Sequence, residues 1–378
     1  MIDLQKSREQ IDEIDCQIVS LFEERMRVAE QVAEYKISTG KQVLDTKREQ
    51  DKLDTLQTMT HNEFNSLGVR ELFQQIMTMS RKKQYQLLTA KGALKLPQEF
   101  EMVDALPKED KTIVYQGVEG AYSYAAMQQF FGEDARHFHV KTWKDAMDAI
   151  VSGKADYAVL PIENSTAGIV SDIYDLLAEY DELYIVGEQI IKCEHVLMGL
   201  CGTKISDIKT VYSHRQGLMQ CRKFLEEHLE WEQVALENTA VAAAKVSRDG
   251  DLSQAAIASR SAAKVCGLEI LQENIFNNLN NSTRFVIVSK RPVFAADAAK
   301  ISIGFEVPHE SGSLYSMLSH VIYNGLNMTK IESRPIPGKN WQYRFFMDFE
   351  GNLTDASVKN ALVGIHREAE KMRVYGNY

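Results

Sequence analysis

Asn280-Asn281-Ser282-Thr283-Arg284-Phe285, running directly into Val286-Ile287-Val288, sets a hydroxyl and a guanidinium side by side where a polar loop enters a buried strand. At a strand end such a pair can reach an anionic ligand, since a guanidinium bonds a carboxylate bidentately and open α/β sheets place ligands in the crevice at strand ends. Alone, the pair equally fits an edge residue beside a solvated charge. The segments upstream decide between the two.

Those segments alternate. Thr112-Ile113-Val114-Tyr115 reads as a strand, followed by Gln116-Gly117-Val118-Glu119-Gly120-Ala121-Tyr122-Ser123 and a helix. A helix Trp143 to Val151 and a strand Tyr157-Ala158-Val159-Leu160 lead into Pro161-Ile162-Glu163-Asn164-Ser165-Thr166-Ala167-Gly168 and a helix Ile169 to Tyr180. After the strand-like Leu183 to Glu188 the chain enters a second lobe. It has the strand Val211-Tyr212-Ser213, the turn His214-Arg215-Gln216-Gly217, a helix through Cys221 to Glu227, an alanine-rich helix around Ala240 to Val246, and the strand Ala255-Ala256-Ile257-Ala258. The Thr283 strand then returns to the first lobe, which predicts two α/β lobes with a cleft between them. Gly117-x-x-Gly120 lacks the dinucleotide fingerprint and no P-loop lysine follows, which argues against a nucleotide enzyme. Capping explains Ser165 or Thr166 but not Glu163 and Asn164 beside them.

Glu163 to Gly168, Ser213-His214-Arg215-Gln216 and Thr283-Arg284-Phe285 together resemble prephenate dehydratase, in order and spacing, across residues 111–290. Val118 and Arg215 stand where that family often has proline, and Ala121 where it has a hydroxyl. The resemblance implies a two-lobed fold of the type II periplasmic-binding-protein kind. It further implies that Thr283 assists a departing ring hydroxyl, while Glu163, Asn164, Ser165, Thr166, Ser213, His214, Gln216, Arg284 and Phe285 surround prephenate. Threonine is a poor acid, so Thr283 reads as a hydrogen-bond donor, with Glu163 and His214 both open as proton source.

Residues 1–90 have a different period. Between Leu4 and Thr39 there is no proline or glycine, and Ile11, Ile14, Ile18, Leu21, Val28, Val32 and Tyr35 recur at steps of three and four, with Arg25 taking one place. This predicts one helix of roughly 50 Å, long enough to pair with a second chain. Arg8 and Lys36 border its seam. Gly40 ends it, and Asp45 caps a second helix bearing Arg48, Glu49, Leu53, Leu56 and Met59. A third helix, expected after Gly68, carries Val69, Leu72, Phe73 and Ile76, then polar Ser80 and Gln84 where the stripe would continue. This pattern is similar to an all-helical chorismate mutase. The resemblance implies that Arg8 (from a partner chain), Arg25 and Arg48 grip the carboxylates of chorismate, with Asp45 and Ser80 beside them. Lys36 and Gln84 would donate to the ether oxygen, and Glu49 would take the substrate hydroxyl.

Residues 91–110, with two prolines and many charges, read as a linker. From residue 299 to 378 the order β-α-β-β-α-β predicts a ferredoxin-like α+β sandwich, with helices Ser313 to Tyr323 and Ala356 to Met372. Gly312-Ser313-Leu314-Tyr315 and Glu332-Ser333-Arg334-Pro335 make it resemble a phenylalanine-binding ACT domain, which implies feedback by L-phenylalanine as effector.

The 378 residues, 44% hydrophobic and 25% charged, carry a formal net charge of -10, which disfavours a nucleic-acid binder. Cys16, Cys193, Cys201, Cys221 and Cys266 form no Cys-x-x-Cys, and His137-x-His139 has no third ligand nearby, so no disulfide framework, metal or cofactor is expected. No stretch has signal-peptide or membrane-span character, and a cytoplasmic homodimer or higher homo-oligomer is expected. A rival reading, a non-catalytic two-lobed amino-acid sensor dimerised by its helical arm, requires neither the helical cations nor Thr283-Arg284.

Overall fold

A computed structural model describes residues 3–93, 96 and 98–378. The chain divides into two compact units, Met1–Glu99 with Ala299–Val374, and Phe100–Ala298 with Tyr375–Tyr378.

The first unit begins with α1 (Leu4–Thr39), capped by the Asp3 carboxylate on the Gln5 and Lys6 amides and ended by Gly40 at φ 68°. A left-handed residue there turns the chain without a Cβ clash. The Asp45 side chain accepts from Arg48 N to start α2 (Thr46–Thr58). The third helix, α3 (Glu63–Ala90), starts earlier than expected, because Asn62 caps it and Gly68 lies inside it. The apolar seam of α1 is uncovered within the chain: Ile11, Ile14, Ile18 and Leu21 are 52–66% exposed. Its buried residues are Ala29 and Ala33.

The second unit opens with β1 (Glu101–Val103), which lies in the stretch read as a linker and pairs in parallel with β13 (Val293–Ala295). Leu94, Lys95 and Pro97 of that stretch lie outside the described residues. Then come β2 (Thr112–Gln116), α4 (Tyr122–Phe131), β3 (Arg136–Val140), α5 (Trp143–Val151), β4 (Tyr157–Asn164), β5 (Gly168–Ile169), α6 (Ser171–Glu179) and β6 (Tyr184–Lys192). The strand β4 runs on through Glu163 and Asn164, and α6 starts later than expected because Gly168 and Ile169 pair back onto it. The second lobe contains β7 (His195–Gly199), β8 (Thr210–His214), α7 (Arg215–Gln220), α8 (Arg222–Leu225), β9 (Glu232–Leu236), α9 (Thr239–Asp249), β10 (Gln254–Ser259), α10 (Arg260–Cys266) and β11 (Glu269–Gln272). His214 to Gly217 is therefore no free turn. The His214 ring caps α7 by accepting from Gln216 N, and the helix expected through Glu227 is broken at Cys221.

Finally β12 (Ser282–Ser289) returns to the first lobe, as expected, giving the order β3-β2-β4-β12-β6; the second lobe's sheet is β11-β7-β10-β8-β9. The register puts Thr283 opposite Asn164 on one side and Ile191 on the other. Each sheet is packed over its own core, one around Tyr115, Val159 and Ile287, the other around Met198, Ala243 and Ala258.

The remaining elements are β14 (Lys300–Glu306), α11 (Ser313–Tyr323), β15 (Met328–Pro335), β16 (Tyr343–Glu350), α12 (Ala356–Glu368) and β17 (Lys371–Asn377), whose strands form a sheet of order β15-β16-β14-β17. The last helix stops at Glu368, short of Met372, because the chain has already turned into β17. Ala33, Val43, Tyr85 and Leu88 of the helical segment share a core with Val363 of α12.

Candidate active sites

The three helices of the first unit enclose a cavity of about 1260 Å³ lined by Arg25, Lys36, Asp45, Arg48, Glu49, Ser80 and Gln84, among others. Arg25 bonds the Ser80 hydroxyl and lies 3.4 Å from the Ile76 carbonyl, which ties α1 to α3. Lys36 Nζ donates to the Val43 carbonyl at 2.7 Å, fixing the ammonium at the cavity edge. Burial lowers the pKa of Arg25 against the pull of Glu49, and lowers that of Lys36 with help from Arg48. Gln84 Oε1 is buried without a hydrogen-bond partner. A buried polar atom in that state is costly unless a ligand supplies its partner. Such a cavity suits a compact polyanion. Arg8 is exposed near the start of α1, roughly 25 Å along the helix from Arg25, so it does not line its own chain's cavity.

In the second unit a cleft of about 1160 Å³ lies between the two sheets. Gln116, Tyr122, Asn164, Thr283 and Phe285 line it from one lobe, and His195, His214, Gln216 and Gln220 from the other. Asn164 is fixed at both ends. Its Oδ1 accepts from Thr166 N (3.0 Å) and Ala167 N (2.8 Å), which turns Nδ2 towards Thr283 Oγ1 (2.9 Å) and Asn281 Oδ1 (2.9 Å). Asn164 donates to Thr283 and so takes no proton from it. Cys193 Sγ lies 3.1 Å from the same hydroxyl, and burial raises its pKa, so it stays a neutral thiol.

A family model described as "Chorismate mutase type II" matches residues 7–85, and one described as "Prephenate dehydratase" matches residues 113–293. The bifunctional chorismate mutase/prephenate dehydratase of Escherichia coli strain K12 is 32% identical over 380 residues, covering 98% of this chain and 95% of that protein. The chain belongs to this bifunctional family. Both activities, an isomerase and a carbon–oxygen lyase, are therefore carried by one polypeptide. Among solved structures, the prephenate dehydratase of Arthrobacter aurescens in complex with L-Phe is 33% identical with a TM-score of 0.66, covering 71% of this chain and 89% of that one. A quorum-quenching acylase, GqqA, is also 33% identical with a TM-score of 0.65, covering 70% of this chain and 97% of that one.

Not every residue implied by resemblance reaches the dehydratase cleft. Thr283 and Phe285 face it, and alternation along β12 turns Arg284 to the other side of the sheet, where it pairs with Glu163 (3.2 Å) and Glu188 (3.4 Å). Neither Arg284 nor Glu163 lines the cleft. Ser165 donates to the Asn280 carbonyl and accepts from Ser282 N, and Thr166 bonds Asn281, so both stitch the β4 loop to β12. Ser213 is wholly buried, its hydroxyl donating to the Ile257 carbonyl at 2.7 Å.

The sequence reading missed a relay in the same cleft. His195 Nε2 lies 2.7 Å from Gln220 Oε1, so it carries the ring proton, and Nδ1 accepts from Tyr122 Oη at 3.0 Å. Burial lowers the His195 pKa, which keeps the ring neutral. Cys193-x-His195 on alternate positions entering a buried strand was the available signal. In the first unit the miss was Arg81, one residue beyond Ser80, which lines the mutase cavity beside Glu49.

The remaining motifs lie in the C-terminal module. Gly312 caps α11 at φ 83°, a left-handed conformation that disfavours any side chain, with Ser313 and Leu314 in the helix's first turn. Glu332, Ser333, Arg334 and Pro335 end β15, at one edge of the sheet order. Among the described residues no helix is long and apolar enough to cross a membrane, and no cluster of metal-ligating side chains occurs.

Proposed function

We propose that chorismate is rearranged in the helical cavity, that the prephenate formed is converted to phenylpyruvate in the Thr283 cleft, and that L-phenylalanine restrains the chain through its C-terminal module. The rearrangement is unimolecular, so the cavity's work is to hold the compact conformer by its carboxylates and stabilise charge on the breaking ether oxygen. Arg25 and Arg48 take the carboxylates, Lys36 and Gln84 the ether oxygen, and Glu49 the hydroxyl. Gln84 Oε1 is buried without a partner, and a half-turn of the amide puts its Nε2 donor in that place, where the ether oxygen of the substrate accepts from it. Arg8 reaches this cavity only from a second copy of the chain, and the uncovered seam at Ile11, Ile14, Ile18 and Leu21 supports pairing α1 with that copy.

In the cleft the ring carboxylate leaves as carbon dioxide, its electron pair aromatises the ring, and the ring hydroxyl departs as water after gaining one proton. The observation that carries this reading is the setting of Thr283: Asn164 donates to its oxygen, and with the Cys193 thiol also donating to it the threonine gives its own proton to the departing hydroxyl. Of the two proton sources considered, His214 lines the cleft and Glu163 is engaged by Arg284 outside it, which favours His214. Gln216 and Asn164 position substrate. Phenylalanine regulation is supported by the βαββαβ order, by the left-handed Gly312 at the start of α11, and by the L-Phe complex named for the Arthrobacter relative.

The test is Thr283→Ala in the full chain, given chorismate while prephenate and phenylpyruvate are followed. Prephenate accumulates and phenylpyruvate formation falls by at least about 10²-fold. Phenylpyruvate at the parent rate would remove Thr283 from the mechanism.

A further inference from the structure

The polar run Ser80 to Gln84 on α3 contains a guanidinium that serves two carboxylates from distant parts of the first unit. Arg81 Nη1 bonds Glu49 Oε2 at 2.5 Å, and Nε bonds Glu368 Oε1 at 2.8 Å, with Nη2 3.5 Å from Glu368 Oε2 and 3.0 Å from Thr78 Oγ1. Glu49 belongs to the mutase cavity. Glu368 is the last residue of α12, in the C-terminal module.

A carboxylate at a helix C-terminus faces the negative end of the macrodipole, and Glu368 is also almost fully buried, with 5% of its side chain exposed. Both features oppose a charged glutamate. Arg81, His320 Nε2 at 3.3 Å and the Ser316 hydroxyl at 3.0 Å surround it and hold it ionised. Burial alone would raise its pKa, and these neighbours outweigh that and bring it to about 2. Buried ion networks of this kind are weak evidence for stability, since apolar packing would serve as well. What this network does supply is orientation. Glu368 engages one edge of the guanidinium fork, so the remaining Nη1 points at Glu49 and occupies one of its two oxygens. Without that clamp Glu49 can turn towards Arg25, Lys36 or Arg48, which line the same cavity.

We infer that Arg81 is a positioning residue of the mutase reaction and that the C-terminal module completes the mutase site through it, Glu368 fixing Arg81 and Arg81 fixing Glu49. The inference rests on the assignment of Glu49 to the chorismate hydroxyl. That bond exists in the bound ground state as well as the transition state, so its loss appears mainly in KM.

The experiment uses the full chain with Arg81→Met, Glu368→Gln, Glu49→Gln and the Arg81→Met/Glu49→Gln double variant, measuring mutase kinetics on chorismate and dehydratase kinetics on supplied prephenate. Arg81→Met is expected to raise the mutase KM about tenfold and Glu368→Gln about threefold, with kcat within about twofold of the parent. Dehydratase turnover stays at the parent value in both. The double variant is no worse than Glu49→Gln alone, because Arg81 acts only through Glu49; a merely structural role would add its effect instead. Should Arg81→Met lose its helical circular dichroism, the isosteric Glu368→Gln carries the test. A parent-like mutase KM in Glu368→Gln and Arg81→Met, with KM raised in Glu49→Gln, overturns the coupling and leaves the site intact. A parent-like KM in Glu49→Gln overturns the site assignment and the inference with it.

Discussion

In the mutase cavity Arg25, Lys36, Arg48 and Arg81 converge from three helices, whereas Thr283 in the dehydratase cleft has the neutral Asn164 and Cys193 as its partners, in a lining that holds Tyr122, His195 and Gln216 together with Lys141, Asp172 and Glu237. On the proposed assignment the contrast follows the two reactions. A dicarboxylate held for a pericyclic step gains from fixed positive charge and needs no proton. A hydroxyl that must depart as water needs a proton delivered at one atom, and neutral donors in a fixed register control where it goes. The two sites therefore differ in what a single substitution can damage.

The largest expected effect falls on the charged site. Lys36→Ala removes the ammonium that Val43 holds at the cavity edge, and a donor to developing charge is worth about 3 to 4 kcal/mol, or 10²–10³ in kcat. Mutase kcat on chorismate falls by that factor while the helical circular dichroism and the turnover of supplied prephenate stay at parent values. A loss under about tenfold would mean that charge at this position does not stabilise the ether oxygen, and the contrast between the sites would lose its chemical basis.

The next effect separates the charged unit from the neutral cleft by pH. The Glu368 pKa is held at about 2 in the fold against a usual 4.5, so its ionised form stabilises the fold fully above pH 4.5 and loses that contribution as pH falls from 4.5 to 2. The displacement corresponds to ~3 kcal/mol. In urea unfolding, Glu368→Gln should be less stable than the parent by up to about that amount at pH 7, and the gap should close on acidification through that window. A gap that is constant with pH would show that the carboxylate gains nothing from ionisation.

The same contrast explains what was legible in the sequence. The strand-built site was written in short contiguous runs, because one sheet register aligns Glu163-Asn164 with Thr283-Arg284. Which members of each run face the cleft was not legible: it depends on alternation and on side-chain partners, and Arg284 and Ser213 both turned away from it. The helix-built site was scattered, yet legible at steps of three and four, since Arg25, Lys36, Glu49, Ser80 and Gln84 do line one cavity. Arg81 escaped because it lies off that stripe and one of its two carboxylate partners, Glu368, is 287 residues away in the chain. Periodicity within one helix carries no information about a partner so remote. Gly68 misled the start of α3 for a simpler reason: Asn62 caps earlier, and one glycine inside a long helix costs only about 1 kcal/mol.

The smallest expected effect concerns the neutral cleft itself. Ser213 and Gln216 are three residues apart in one motif, but the first gives its hydroxyl to the Ile257 carbonyl inside the second lobe and the second faces the cleft. Ser213 is wholly buried and its hydroxyl is spent on that carbonyl, so it does not reach the cleft. Ser213→Ala leaves that carbonyl without its side-chain donor, at a cost of about 1 to 2 kcal/mol in stability. Gln216→Ala acts on the cleft and raises the KM for prephenate. The comparison is read as two ratios, Tm shift against KM shift for each variant, and it requires the larger Tm shift in Ser213→Ala and the larger KM shift in Gln216→Ala. If Ser213→Ala moves KM more than Gln216→Ala does, the second lobe's contribution to the site runs through β8 and not through the first turn of α7.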